Sequence, residues 1–276
     1  LRGMGREEEA RAAFREALAL EPSNAEAKAG LNSLAEAPRH ELRIGGDFDL
    51  FNYTAHARAI TASLRSSLHP RWTSNFSGIF YHRSSRDAGR FGAAITHRLT
   101  HHDAITLGGA TARDAGIIPK GEAFFEYGRG MSFGRRSLVR GVELSYAQRW
   151  LWFIGPRVLT LSPGGILYLP RDWTWQISLT YARTRFPGTS AEWQPSGVTR
   201  LSFPVHPRIT ANVFYAVGTE NFARADQIGH FSARTFGGGF RLALGPRQEL
   251  TAYAAHQDRS QGRTQTSFGF SYALRF

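Results

Sequence analysis

The sequence predicts a mainly β fold: a transmembrane, antiparallel, up-and-down β-barrel of about 14 strands (roughly 12 to 16), preceded by a short α-helical segment. Apolar residues occupy every second position through most of residues 40–276, short and long connections alternate, and the chain ends on a strand with an aromatic face. The mean hydropathy is −0.33, and the sequence lacks the run of about 18 apolar residues that a membrane-spanning helix needs. Alternating strands average to mild hydrophilicity and still cross a membrane.

Residues 1–37 differ from the rest of the chain because their apolar residues follow a helical period. They keep the spacing of small, aromatic and proline residues that closes a tetratricopeptide repeat, at Ala10, Phe14, Ala17 and Pro22. This stretch therefore resembles a truncated tetratricopeptide (TPR) segment, with its first helix and further repeats expected before residue 1. Residues 25–36 would form the next helix. The alternative is an isolated pair of amphipathic linker helices.

From residue 40 the period of the apolar residues changes to two, which predicts a barrel domain over residues 40–276. Its strands are expected near residues 42–50, 60–68, 74–83, 90–99, 103–112, 122–131, 141–150, 157–169, 173–181, 197–205, 208–218, 233–244, 248–257 and 264–276. The clearest internal strand presents one apolar face, made of Trp173, Trp175, Ile177, Leu179 and Tyr181. Pro163 predicts a bulge or a distorted ladder, because proline cannot donate a backbone hydrogen bond.

The connections alternate in length, as they do in barrels with short periplasmic turns and longer outer loops. Two connections break the rule: residues 153–156 form a short link where a long loop is due, and residues 131–138 form the reverse. An even number of strands places both ends of the barrel on one side. That side is expected to be the periplasm, together with the helical segment.

The last strand presents an apolar face that continues to the final residue, with Phe268, Phe270, Tyr272, Leu274 and Phe276 at alternate positions. In a soluble protein such an edge would promote aggregation, whereas in a closed barrel this face meets lipid. The pattern resembles the closing strand of bacterial outer-membrane barrels. The resemblance implies that these five residues form a signal for the barrel-insertion machinery. A soluble β-sandwich that ends on a strand is the alternative.

The chain has a formal net charge of +12, and arginines spread over the strands and turns of the predicted barrel carry the excess. A nucleic-acid-binding protein would cluster its basic residues on one helix or face, so no nucleic-acid partner is predicted. Outer-membrane lipid, lipopolysaccharide phosphates or an acidic polymer are the expected counter-charges.

Charged residues at the polar positions of the strands are expected to point into the lumen. They are Arg43, Asp47, Arg65, Arg98, Glu126, Glu143, Arg149, Arg183, Arg200, Arg241 and Arg275. Their excess of arginine indicates a pathway for an anionic solute or polysaccharide. A second interpretation stays open, in which ion pairs fill a narrow barrel as a plug, because an unpaired lumen charge is costly.

No catalytic residue, cofactor or metal site is predicted. His97, His101 and His102 are close in sequence, but no carboxylate or cysteine completes a ligand set, so a solvated turn is expected. Gly128, Gly130 and Gly134 do not precede a helix, so a phosphate-binding loop is not expected there. Serine, histidine and acidic residues occur without a nucleophile motif.

The arrangement of a TPR segment followed by closely spaced strands resembles the YaiO family of outer-membrane β-barrels. Residues 145–169, SYAQRWLWFIGPRVLTLSPGGILYL, are similar to the mid-barrel block of that family, an aromatic strand, a short link and a strand with a Ser-Pro-Gly motif. The resemblance implies a location in the bacterial outer membrane. Exopolysaccharide exporters are also similar in arrangement, since periplasmic repeats organise partners and a barrel passes the polymer.

The expected function is therefore a porin-like conduit or envelope scaffold linked to surface polysaccharide export, with the TPR segment binding periplasmic protein partners. The alternative is an outer-membrane enzyme that acts on lipid or glycan, although no catalytic residue carries over from either family. A soluble basic binding module would require that the strands lie outside lipid.

Overall fold

The computed structural model describes residues 7–27, 38–83, 86–113, 118–133, 137–188, 190–219 and 232–276. Its internal contacts divide the chain into two units, residues 1–39 and residues 40–276. Among the residues described, no helix has the length and apolar character needed to cross a membrane.

The first unit contains helix α1, Glu7–Leu20. The amide of Glu21 donates to the Ala17 carbonyl at 2.9 Å, and the chain then turns at Pro22. Asn24 starts a second helical turn, since its Oδ1 accepts a hydrogen bond from the amide of Ala27 at 2.8 Å. Residues 28–37, and with them most of the second predicted helix, lie outside the described residues. The TPR assignment stays a prediction.

The second unit is a closed barrel of fourteen strands. They are β1 His40–Phe51, β2 Ala57–His69, β3 Trp72–Arg83, β4 Arg86–Arg98, β5 Asp103–Arg113, β6 Gly121–Ser132, β7 Gly141–Trp152, β8 Arg157–Tyr168, β9 Thr174–Arg185, β10 Glu192–His206, β11 Ile209–Thr219, β12 Ser232–Ala243, β13 Gln248–Arg259 and β14 Thr264–Arg275. Each strand pairs antiparallel with the next in sequence, and β1 pairs with β14. The predicted fold and strand number are confirmed.

The two ends of the barrel domain meet at the closing seam. The amide of His40 donates to the carbonyl of Phe276 at 2.9 Å, and the amide of Phe276 returns a bond of the same length to His40. The two side-chain rings lie 5.4 Å apart. The last residue thus completes the ladder between β1 and β14, and its action as an insertion signal stays a prediction.

Because the strands are antiparallel, the barrel has two distinct ends. The end that carries His40, Phe276 and the β2–β3 and β10–β11 turns is called the turn end. The opposite end, which carries the β1–β2 and β9–β10 connections, is called the loop end. The short link 153–156 lies at the loop end and the longer link between β6 and β7 at the turn end, as expected. Pro163 produces no bulge, because β8 and β9 keep the same register on both sides of it. Only the pairings at residues 162 and 163 are missing from the ladder.

Alternate residues of each strand face opposite sides of the wall. Large apolar residues are exposed on the outer face, as with Ile60 at 60% and Phe270 at 65% exposure. Small residues such as Ala182 and Ala273, both 0% exposed, lie on the inner face. Most of the bulky apolar side chains are thus directed outward, the pattern expected of a barrel whose outer surface contacts lipid.

Substitutions on the two faces of β9 test this assignment. Arginine at Ile177, on the outer face, should lower the free energy of unfolding by about 2–4 kcal/mol if the residue lies near the bilayer midplane. Arginine at the neighbouring Ser178, on the inner face, should cost much less, because water reaches that face. Urea titration of the heat-modifiable folded band in lipid vesicles measures both costs, and equal costs would show that the faces are misassigned.

Candidate functional site

The strand registers place nearly all the predicted lumen charges on the inner face. They are Arg43, Asp47, Arg65, Arg98, Glu126, Glu143, Arg149, Arg200, Arg241 and Arg275. Arg183 is the exception and lies on the outer face. It keeps the alternation of Leu179 and Tyr181, and its guanidinium lies 5.8 Å from the ring centroid of Trp193.

The turn end of the inner wall carries a group of four residues that we call the turn-end network: Glu41, Arg43, Glu249 and Arg275. Arg43 donates to Glu249 at 3.0 Å and to Glu41 at 3.1 Å. Arg275 donates to both carboxylates at 2.8 Å. Each carboxylate therefore contacts both guanidiniums, which offsets the desolvation of these charges inside the wall. Glu41 and Glu249 were not among the predicted lumen residues. Both occupy inward positions in the alternation of their strands, and that alternation is visible in the sequence.

A second group on the inner wall, the β4–β7 network, comprises Arg90, Glu122, Glu126 and Arg149. Arg149 donates to Glu122 at 2.8 Å and to Glu126 at 2.6 Å, and its guanidinium lies 4.8 Å from the centroid of the Phe124 ring. Arg90 binds the other oxygen of Glu122. The Glu122 side chain is only 3% exposed, and its two oxygens each accept from a different guanidinium. The two arginines and two glutamates of the network balance in charge. Arg90 and Glu122 were not among the predicted residues.

Other arginines of the inner wall have no carboxylate within 4.0 Å in the part of the chain that the structure describes. They are Arg65, Arg98, Arg200 and Arg241, and all are exposed. Glu143 accepts a hydrogen bond from the Tyr168 hydroxyl at 3.0 Å. Since the turn-end network balances its own charges, these arginines leave that half of the inner wall positive.

Three lumen aromatics lie over glycines of the adjacent strand. The pairs are Phe124 on Gly108, Phe214 on Gly237 and Tyr253 on Gly269, and in each pair a Cβ on the glycine would overlap the ring. Each aromatic also contacts a charged side chain. Arg149 lies over Phe124, Arg200 lies 5.4 Å from the Phe214 centroid, and the Tyr253 hydroxyl donates to Asp47 at 2.6 Å. Glycine, aromatic ring and charge thus form one unit that positions the charge against the wall.

Two sizeable cavities lie against the described part of the inner wall, besides a small one of about 50 Å³ beside Asp47 and Tyr81. The larger, of about 390 Å³, is bordered mainly by small and hydroxyl-bearing residues of β7–β13, among them Thr160, Ser162, Ser178, Thr180, Ser196, Ala216 and Thr235. The smaller, of about 200 Å³, is bordered by residues of β3–β7, among them Ser77, Arg90 and Glu122. Arg149 borders both cavities. Ion pairs therefore do not fill the whole lumen. Arg149, which Glu122 and Glu126 hold in place, lies at the boundary between these two cavities.

The histidines and glycines considered as sites lie in ordinary positions. The His97 ring packs against Trp72 with centroids 4.1 Å apart, and His101 and His102 are in the β4–β5 turn. Gly128 and Gly130 lie within β6, and Gly134 lies outside the described residues. Among the described residues, no group of three or more histidine or acidic side chains could hold a metal ion.

One chain of hydroxyl, imidazole and carboxylate occurs on the outer face, near the loop end. The Nδ1 atom of His256 is 2.9 Å from the Thr266 hydroxyl, and its Nε2 atom is 3.4 Å from Asp258. His256 and Asp258 are 52% and 73% exposed. A hydroxyl, an imidazole and a carboxylate also occur together in nucleophilic catalysis. Here the imidazole and the carboxylate are largely solvated, so their contact would activate the Thr266 hydroxyl only weakly.

Comparison with known proteins found solved barrels of the same architecture. The Pseudomonas putida toluene transporter TodX has a TM-score of 0.52 at 9% identity, covering 89% of this chain and 91% of TodX. The CymD monoaromatic hydrocarbon channel has a TM-score of 0.50 at 10% identity, covering 90% and 91% of the two chains. An anion-selective porin from Comamonas acidovorans has a TM-score of 0.50 at 9% identity, covering 86% and 98%. No family model and no curated protein matches the sequence.

The chain has the fold of a bacterial outer-membrane β-barrel. Identities near one residue in ten establish the fold alone.

The contact between Tyr253 and Gly269 can be tested by adding a side chain to the glycine. Gly269→Val should lower the free energy of unfolding by about 1–3 kcal/mol, because the new methyl groups displace the tyrosine ring and its bond to Asp47. The matched control is Gly78→Val, since a Cβ at Gly78 would meet nothing within 4 Å. The midpoint of thermal unfolding in detergent measures both variants. An equal loss in both would show that the effect comes from valine rather than from the ring contact.

Proposed function

We propose that the chain is an outer-membrane conduit for an anionic, hydroxyl-rich solute, such as an acidic oligosaccharide of a surface polysaccharide. The observation that carries this proposal is that two environments follow one another along the inner wall, from the turn end toward the loop end. Exposed arginines without carboxylate partners among the described residues lie toward the turn end, and the hydroxyl-lined cavity of about 390 Å³ lies beyond them.

The arginines supply the attraction. A cleft lined by charge of one sign, with low-dielectric walls, focuses the field and raises the local concentration of the opposite ion. Arg65, Arg200 and Arg241 are suited to this because no described carboxylate neutralises them. The arginines of the two ion-paired networks instead hold the wall together.

The cavity supplies the passage for a polar solute. Ser162 and Thr180 are already in contact at 3.0 Å, and further hydroxyls border the same space. Such groups both donate and accept hydrogen bonds, so they replace part of the water around sugar hydroxyls without binding a charge tightly. Arg149, which is paired with Glu122 and Glu126, forms one edge of this space.

The proposal differs from the named roles of two structural neighbours. TodX is named as a toluene transporter and CymD as a monoaromatic hydrocarbon channel, and an apolar solute would gain little from hydroxyl-bearing walls. The third neighbour is named as anion-selective. The anion preference proposed for this chain rests on its own inner-wall arginines, Arg65, Arg200 and Arg241.

The remaining roles are proposed on the sequence pattern. The helical segment would contact periplasmic protein partners, supported by the TPR-like spacing of Ala10, Phe14, Ala17 and Pro22. The aromatic face of β14 would be recognised by the barrel-insertion machinery. Together with the conduit, these roles would fit a protein of the YaiO type that takes part in surface polysaccharide export.

Reversal potentials in planar bilayers under a salt gradient test the conduit. The wild-type protein should be anion-selective, and the selectivity should weaken at high salt as the charges are screened. The double variant Arg200→Glu, Arg241→Glu should abolish or invert the preference without unfolding the barrel. Arg58→Glu, Arg234→Glu reverses the same amount of charge on the outer face and should leave the preference unchanged.

A folded barrel that inserts but neither conducts ions nor binds acidic oligosaccharides would contradict this function. The ion-paired networks would then act as a plug, and the barrel would be an anchor.

A second candidate function, an outer-membrane enzyme acting on lipid, rests on the contacts among Thr266, His256 and Asp258. We expect no enzymatic activity, because the imidazole and carboxylate are largely exposed. The purified barrel should release no fatty acid from phospholipid or lipopolysaccharide above the rate of a His256→Gln, Thr266→Val variant. Release by the wild-type protein that this variant abolishes would favour the enzyme.

A further inference from the structure

The outer wall at the loop end carries three neighbouring arginines, which we call the outer arginine cluster: Arg157, Arg183 and Arg185. Arg157 and Arg185 are Cα partners across β8 and β9, and Arg183 lies two residues along the same strand opposite Leu159. All three side chains are exposed. Directly opposite residues on one face have Cβ atoms about 4.5–5.5 Å apart, so the arrangement brings like charges together.

Among the described residues of β7–β10, no carboxylate lies at an outward position where it could balance this cluster. The outward positions of β7–β10 that the structure describes hold apolar, aromatic and neutral polar residues besides these arginines. Like charges placed opposite each other destabilise a sheet. A counter-ion from outside the chain would remove that cost.

The neighbours of the cluster show at which depth such a counter-ion would lie. Trp152 is the Cα partner of Arg157, and Trp193 is the partner of Arg183. The two indoles are 40% and 47% exposed on the outer face, which is the position of the interfacial aromatic girdle in membrane barrels. Leu159 and Leu161 continue the same face toward the middle of the wall. The arginines therefore lie at headgroup level and the leucines at acyl-chain level.

We propose that the outer arginine cluster binds the phosphorylated headgroup of an outer-leaflet lipid, whose acyl chains pack along the apolar face of β8 and β9. The planar guanidinium forms paired hydrogen bonds with phosphate oxygens, and these charge-assisted bonds are among the strong ones. Two facing guanidiniums bind one phosphate, and Arg183, stacked toward Trp193, contributes a third donor. The inference rests on the proposed outer-membrane location and is independent of the solute that the lumen passes.

Native mass spectrometry of the folded barrel in detergent, with diphosphoryl lipid A as the probe, tests the site. The Arg157→Gln, Arg185→Gln variant should bind the probe at least about tenfold more weakly, because it loses the facing charge-assisted donors. The control Arg58→Gln, Arg234→Gln removes the same charge from outward positions that are not adjacent. It should bind within about twofold of the wild type, since isolated surface charges contribute little.

Two further probes separate a lipid site from simple charge attraction. Fully dephosphorylated lipid A should bind weakly to all forms, and inorganic phosphate at the same concentration should not displace the diphosphoryl lipid. Equal weakening in both double variants, equal binding of the dephosphorylated lipid, or displacement by free phosphate would overturn the proposal. Anion selectivity should be unchanged in Arg157→Gln, Arg185→Gln, so the failure of this site and the failure of the conduit give different results.

Discussion

The closing ladder between β1 and β14 is the constraint on which the rest of the barrel depends. Its register runs from Glu41 opposite Arg275 to Phe51 opposite Gln265 without a shift. A closed sheet has no free edge, so the backbone donors of its strands can pair within the wall, which is the condition for strands to lie in lipid. Closure also decides which face is inside, so each alternate residue lies either in the lumen or on the outer surface of the barrel.

Once closed, the barrel must accommodate charged side chains on its inner wall, and it does so in two ways. Arginines and glutamates form the turn-end network and the β4–β7 network, where Glu122 is shared by Arg90 and Arg149. Aromatic rings that lie on glycines then hold charged side chains close to the wall. Gly108 is needed beneath Phe124 for this reason, and the ring in turn orients Arg149. The space left over is the hydroxyl-lined cavity on which the proposed conduit depends.

Several elements could be predicted from the sequence because they depend on local pattern. The alternation from Trp173 to Tyr181 correctly gave the outer face of β9, and the aromatic positions up to Phe276 gave the last strand. The prediction that Arg183 points into the lumen is wrong, because Arg183 continues the outward alternation of Leu179 and Tyr181. Glu41 and Glu249 follow the inward period of their strands and could have been found by the same rule. Pro163 suggested a bulge, but the ladder passes it with only two pairings lost.

The sequence by itself determined the period of two, the change of period at residue 40, and the even set of strands with both ends together. These follow from the strand itself, where successive side chains point to opposite faces. Only the tertiary structure decided which charges meet: Arg149 and Glu122 are 27 residues apart, and Arg43 and Glu249 are 206 apart. It likewise decided that Arg157 faces Arg185 and that Arg149 stands between two cavities. Which residues become neighbours depends on the register between strands. The loop lengths and the closure of the whole sheet fix that register together, so no local sequence pattern encodes it.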